Sequence, residues 1–411
     1  MRTLRANCLI GAIFTIFPAA CVAPTAGDKA AGEPSEDGSP DGDTGEEHGD
    51  SGDSGDSGEV DCSGELERVR RIEWPAIADD PCASGKALSV FNLQIGPDAA
   101  LTDLSGLECV CAVESGLTIE DVPALASIDV LEQITTAPSS LRVKNAPALT
   151  TLPRLNAPLT SPAYVDIEQV DNLTSIEMLS GLTAASSFKI IDAPALRDLT
   201  GAEALTEAEV VQIQRVGLQD IDALASLTTV TEYLEFRDCE ALTDLAGLSG
   251  LQTAERVYLA SNDALEQLGA FDQLTQLGEL TLQSSPRLTQ LDGLRMLTEA
   301  EELSFSGVEA LTGLPELAQL ETVDRLWLSS TGLTHLDDLA ALTTIDGLLT
   351  LQGNDQLTSI SGLEGLTWLG NVTVRGNHSL STCHINEVLL EAIGEEHLGA
   401  SPIIESNAPC E

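Results

Sequence analysis

Nine cysteines are the most reactive side chains in this sequence of 411 residues. Their spacing decides between metal binding, redox chemistry and crosslinking. Cys8 and Cys21 lie near the start, and Cys239 stands alone in the middle. The other six gather at two ends, Cys62, Cys82, Cys109 and Cys111 in one group and Cys383 and Cys410 in the other. No C-x-x-C pair occurs, and the only histidine beside a cysteine is His384, adjacent to Cys383. That spacing does not make a zinc site, and we expect no metal. Paired cysteines in an exported chain read instead as disulfides. We expect Cys383–Cys410 to clasp the C-terminal end and Cys62, Cys82, Cys109 and Cys111 to form two bridges. Cys109–Cys111 is disfavoured, because residues two apart on a strand sit near the limit of reach.

Other catalytic patterns are missing. There is no G-x-S-x-G elbow, no H-E-x-x-H and no phosphate-cradling glycine loop. The 66 acidic residues are scattered over a repetitive sequence rather than paired in a unique pocket. We therefore expect a non-enzyme with no cofactor. The sequons at Asn172, Asn371 and Asn377 read as chance matches. With 19 Lys and Arg against those acids the formal charge is −47, which repels nucleic acid and anionic head groups as bulk partners.

The chain opens with Arg2 and Arg5, an apolar run from Cys8 to Phe17, and then Pro18-Ala19-Ala20-Cys21. The order basic, apolar, small is that of a signal peptide over residues 1–20, and the run is too short to span a bilayer. The small residues before Cys21 resemble a bacterial lipobox, which implies lipidation at Cys21 and attachment at the outer membrane or cell surface; plain secretion is the alternative. Residues 22–61 hold 13 acids and one base, with almost no apolar side chains. We expect residues 21–61 to be a disordered acidic tether, since such a segment cannot offset its ordering entropy by burial. Asp41-Gly42-Asp43 does not continue into the spacing of a calcium loop.

What positions everything else is a repeat. Apolar-x-apolar pairs recur every 23 residues from Val165/Ile167 through Leu280/Leu282 and Leu326/Leu328 to Val372/Val374. Leu93/Ile95, Leu117/Ile119 and Leu141/Val143 extend the series upstream at steps of 24, giving thirteen rungs. Each pair predicts a short strand with both side chains inward. A turn follows, and then apolar residues at every third position, as in Leu288, Leu291, Leu294 and Leu297. That step fits 3₁₀-like chain better than α-helix. Gly217 and Gly332 mark two turns one residue shorter than the rest. One rung cannot bury its apolar face alone, so the rungs must stack into a solenoid with one long parallel sheet. Thirteen rungs span roughly 60 Å, and each buried leucine contributes about 1.5–3 kcal/mol before entropy is subtracted. Residues 62–92 and 384–411 are left as caps around a repeat region of 93–383. Ile385, Val388, Leu389, Ala392 and Ile393 predict an amphipathic helix within His384 to Gly394, and Ile403-Ile404 a last strand.

The unit Leu349-x-Leu351-x-x-Asn354-x-x-Leu357-x-x-Ile360-x-Gly362-Leu363 resembles bacterial leucine-rich repeats of the internalin kind. It is also similar to the receptor L-domain repeat. The resemblance covers residues 88–383 and implies a right-handed solenoid and a recognition or adhesion role at a bacterial surface. The turn asparagine of the pattern occurs only at Asn262, Asn354 and Asn377; Ala193, Cys239 and Ser285 stand there in other rungs. In such a repeat that turn position accepts Asn or Cys, which implies a buried free thiol at Cys239.

The outward strand positions are the three that flank and separate each apolar pair, 39 in all. They hold seven of the sixteen Lys and Arg residues of 62–411: Arg142, Lys144, Lys189, Arg237, Arg256, Arg325 and Arg375. All three tyrosines (Tyr164, Tyr233, Tyr258) and Trp327 are there too. Arg, Tyr and Trp are the types that anchor interfaces. We expect a monomer that binds a protein or glycan through this face, with Tyr233, Arg237, Arg256 and Tyr258 at its centre and Arg325 and Trp327 further along. Internal pairing of the bases with acids on neighbouring rungs is the competing account of the same residues. A structural envelope protein whose acidic surface binds divalent cations is the alternative function.

Overall fold

The computed structural model describes residues 61–75, 81–269 and 271–410. The signal peptide, Cys21 and the acidic tether up to residue 60 lie outside the described residues. Among the described residues fifteen strands form one sheet in strict sequence order, and every neighbouring pair is parallel. The thirteen rungs supply β2 (Leu88–Ile95) through β14 (Trp368–Arg375), including β8 (Thr229–Arg237), β9 (Thr253–Ala260), β10 (Gln276–Gln283), β11 (Glu299–Ser306), β12 (Thr322–Ser329) and β13 (Thr344–Gln352). Two further strands come from the stretches read as caps. β1 (Glu67–Trp74) pairs with β2, and β15 (Ile403–Glu405) pairs with β14.

The apolar pairs lie in register. Leu280, Leu303, Leu326, Leu349 and Val372 are successive partners across β10 to β14, all buried. The three-residue ladder has a simple cause. The amide of Leu294 donates to the Leu291 carbonyl (3.3 Å) and that of Leu297 to the Leu294 carbonyl (3.0 Å). Each leucine thus closes a 3₁₀-type turn on the one before it and lands on the same inner side. Short 3₁₀ turns such as Pro315–Leu317 and Ser361–Leu363 recur along this side. Gly217 and Gly332 sit where rungs touch: a Cβ there would come within 2.3 Å of the Pro194 carbonyl oxygen and 2.1 Å of the Glu309 carbonyl oxygen.

Two further ladders hold the turns. From β3 (Val110–Glu120) onward, the second residue beyond each apolar pair is left-handed, as at Asn145 (φ 51°), Gln169 (φ 58°), Ser284 (φ 51°) and Gly307 (φ 67°). In seven of these turns the amide of the next residue finds its acceptor in one of two ways. Val122, Ala146 and Val170 donate to backbone carbonyls of the following rung, at 3.2, 3.2 and 3.0 Å. Cys239, Thr331, Asn354 and Asn377 donate instead to side-chain Oδ1 atoms of Asn262, Asn354, Asn377 and Asn407, at 3.0, 3.0, 2.9 and 3.1 Å. Each of these asparagines also donates through Nδ2 to a carbonyl of the preceding rung, at 2.9–3.0 Å. Asn407, in the C-terminal cap, completes the series.

The cap departs from a single helix. An α-turn, α1 (Thr382–Asn386), passes into π-helical chain at Glu387–Ala392. The Ile393 amide reaches back five residues to Val388 (3.1 Å), which keeps Ile393 buried and turns Ala392 outward. Three disulfides staple the ends: Cys62–Cys111, Cys82–Cys109 and Cys383–Cys410, with Cα–Cα distances of 5.3, 5.4 and 5.2 Å. Cys239 is free and buried, and burial pushes its thiol pKa up to about 12. Among the described residues no helix is long and apolar enough to cross a membrane.

Candidate binding face on the strands

The outward strand residues fall into three groups. On β4 (Ser140–Lys144), β5 (Ala163–Glu168) and β6 (Ala184–Ala193), the bases Arg142, Lys144 and Lys189 close over Asp166 and Glu168. Asp166 pairs with Lys144 at 3.3 Å and Arg142 at 3.5 Å, and only 2% of its side chain is exposed. Burial opposes the Glu168 charge, but hydrogen bonds and charge from Lys189 and Lys144 overcome it and bring the pKa down to about 2. These bases serve the sheet's own carboxylates.

The second group, on β8 and β9, is different. The Tyr233 and Tyr258 rings stack with centroids 6.4 Å apart, and the Arg256 guanidinium lies over Tyr233 at 5.8 Å. Arg256 donates to the Glu232 carbonyl (3.2 Å), and Tyr258 donates to Gln283 (2.8 Å). Arg256 and Arg375 are the two bases of the face without a carboxylate ion-pair partner among the described residues. Burial and the nearby Glu235 charge push the Tyr233 pKa up to about 12. Beneath the stack Glu235 is buried and accepts from Gln212 (2.7 Å). Arg237 leans to its chain neighbour Asp238 (3.4 Å).

Arg325 and Trp327 lie three strands further on and do not join the stack. Arg325 is held by Glu302 (2.6 Å), Asp324 (2.9 Å) and Glu279 (3.6 Å), so internal pairing accounts for it. Burial, then the Glu302 charge, raises the Glu279 pKa. Trp327 is 40% exposed. In register between Tyr258 and Trp327 stand only Thr281 and Ser304, so two aromatic side chains bound a low polar stretch of sheet. Sequence reasoning picked the residue types but not this split. The pairs that close are register partners at the repeat step, such as Arg142 with Asp166 and Arg325 with Glu302; Arg256 faces Glu279 in the same register, yet no ion pair closes there. Among the described residues no three His, Cys, Asp or Glu side chains are grouped to hold a metal ion.

No family model matches the chain, and no curated protein matches it. Solved structures do. An internalin, InlF, from Listeria monocytogenes is 14% identical over 76% of this chain and 79% of that one, with a TM-score of 0.36. The functional domain of InlJ from Listeria monocytogenes, which includes a cysteine ladder, is 17% identical over 67% of this chain and 71% of that one, with a TM-score of 0.29. TLR13 in its complex with ssRNA13 is 15% identical over 79% of this chain and 64% of that one, with a TM-score of 0.24. Superpositions this loose carry no functional argument. The fold, a parallel solenoid with a leucine-rich core, rests on the strand register itself.

Proposed function

We propose that the protein is a non-catalytic binding protein of the bacterial envelope, held by a lipid at Cys21 and an acidic tether, that recognises a protein or glycan through its strand face. The observation that carries this reading is the Tyr233–Arg256–Tyr258 stack: two adjacent tyrosines and an arginine without a carboxylate partner, on a face whose other bases are mostly paired internally. Aromatic and arginine side chains of this kind dominate interface energetics. Arg237 borders the stack, and Trp327, with Arg325 beside it, offers a second contact across the Thr281–Ser304 stretch.

The test is Arg256→Glu combined with Tyr258→Ala in the full chain, assayed by capture of envelope proteins and by binding to a glycan panel. Loss of two anchors predicts a fall of at least about thirtyfold in affinity for whichever class is bound, with an unchanged melting temperature. Retained binding of every captured partner would remove the stack from the interface.

A further inference from the structure

The first strand of the sheet has a neighbour on one side only. β1 pairs with β2, and among the described residues nothing pairs with its other edge. An end strand presents a row of unsatisfied N–H and C=O groups, which is a template for one more strand. The opposite end of the sheet is blunted by length, because β15 has three residues where β1 has eight. The core is also less closed at β1: Ile72 is buried, but Val69 and Trp74 are only partly buried.

The side chains of this edge are unlike those of the rest of the surface. Arg68, Arg70 and Arg71 put three of the sixteen Lys and Arg residues of 62–411 into one strand. Beside it a hollow of about 510 Å³ is lined by Arg68, Val69, Arg70, Ser89, Phe91 and Glu114. Both of these arginines are exposed, and Phe91 is 47% exposed. Arg70 has no ion-pair partner among the described residues. Arg68 reaches Glu114 only at 3.7 Å, and that carboxylate already accepts from the Ser89 hydroxyl (2.7 Å). Arg71 is engaged by Glu73 (2.9 Å) and by Gln94. Positive side chains on an edge keep two like edges apart. They do not repel an acidic strand; they select one. An acidic segment meets repulsion over most of a chain of charge −47, which leaves a basic edge as the place to hold it.

We propose that the free edge of β1 takes an extended acidic segment of a partner protein as a sixteenth strand. Eight residues at about 3.3 Å give an edge of roughly 26 Å. Alternate side chains of the added strand point to opposite faces. One set lays its carboxylates on Arg68 and Arg70 beside Phe91, and the other, apolar, closes over Val69 and Trp74. Backbone hydrogen bonds supply affinity in this mode, and the side-chain contacts supply selectivity. The site shares no residue with the tyrosine stack and stands or falls independently of the strand-face reading.

The experiment measures fluorescence anisotropy of a labelled octapeptide of alternating glutamate and valine against the full chain, with a glutamine–valine octapeptide as the second probe. The acidic peptide is expected to bind at least about fivefold more tightly than the neutral one, and Arg68→Gln with Arg70→Gln to weaken it about fivefold, the size of two exposed ion pairs. Arg154→Gln with Arg287→Gln, which removes as much charge from exposed positions elsewhere, should leave its affinity within about twofold. Hydrogen exchange of the wild-type chain gives a readout that needs no variant: β1 amides should exchange at least about tenfold more slowly with the acidic peptide bound. Unchanged exchange in β1 would mean that no strand is added and would overturn the proposal. So would equal affinity for the two peptides, or equal weakening by both pairs of substitutions. Two other occupants would replace the acidic segment if the acidic peptide does not bind. One is a second copy of the chain, seen as concentration-dependent association lost with Arg68→Gln and Arg70→Gln. The other is a lipid surface, seen as flotation with phosphatidylglycerol vesicles lost in the same variant.

Discussion

Asn354→Ala isolates the energetics of the buried amide ladder. The Asn354 side chain is fully buried. Its Oδ1 accepts from the Thr331 amide (3.0 Å) and the Thr331 hydroxyl (2.7 Å), and its Nδ2 donates to the Leu328 carbonyl (3.0 Å). Truncation leaves one backbone donor and one backbone acceptor without partners in a dry interior. At about 1–3 kcal/mol for each buried orphan, the loss should be about 4 kcal/mol. Val170→Ala provides the contrast at the same position of an earlier rung. Its amide keeps its bond to the Asp192 carbonyl (3.0 Å), so the truncation costs only transfer and cavity terms, about 2 kcal/mol. Denaturant unfolding of both variants gives the ranking. Native-state hydrogen exchange at the Thr331 amide adds a local readout, useful because a repeat array opens in parts. If Asn354→Ala costs no more than Val170→Ala, or the Thr331 amide keeps its protection, the amide ladder does not hold this turn.

Two further outcomes follow from the geometry. The Glu168 pKa of about 2 lies below its ordinary 4.5, so its contribution to stability is complete above pH 4.5 and is lost as the pH falls towards 2; melting temperatures over that window should drop less steeply for Glu168→Gln than for the wild type. At the left-handed turn positions, Gly307→Ala should cost about 1 kcal/mol from backbone conformation alone. The added Cβ has room there, its nearest neighbour being Ser284 Cα at 3.4 Å. Gln169→Gly should gain about half a kcal/mol; a stabilising Gly307→Ala in denaturant titrations would contradict the left-handed ladder.

The repeat period alone placed β2 to β14, because every step of 23 or 24 residues returns an apolar pair to one inner face. β1 escaped it for a physical reason. Its pair, Ile72 and Trp74, lies only 21 residues before Leu93 and is flanked by Arg68, Arg70, Arg71 and Glu73, so composition reads as solvent-facing although Ile72 is buried. Asn407 was missed similarly, standing outside any recognisable rung yet continuing the amide ladder from the cap. The bases of the face were legible as residue types. Their fates were not, since Arg256 opposite Glu279 and Arg325 opposite Glu302 are equivalent register pairs, and only the second closes as an ion pair while Arg256 turns to the Glu232 carbonyl.

The two ways of satisfying the turn amide limit how such a molecule can grow. A turn bearing valine or alanine asks only for a carbonyl above it, whereas one seated on Asn354 or Asn377 depends on a specific neighbour. Gene duplication can therefore lengthen the array by copying a unit beside itself. A unit transplanted from the early coils to the place of the one carrying Asn354 would remove the side-chain acceptor of the Thr331 amide and oblige it to use a backbone carbonyl, as Val122 and Val170 do, so lineage expansion should proceed in blocks of like turns.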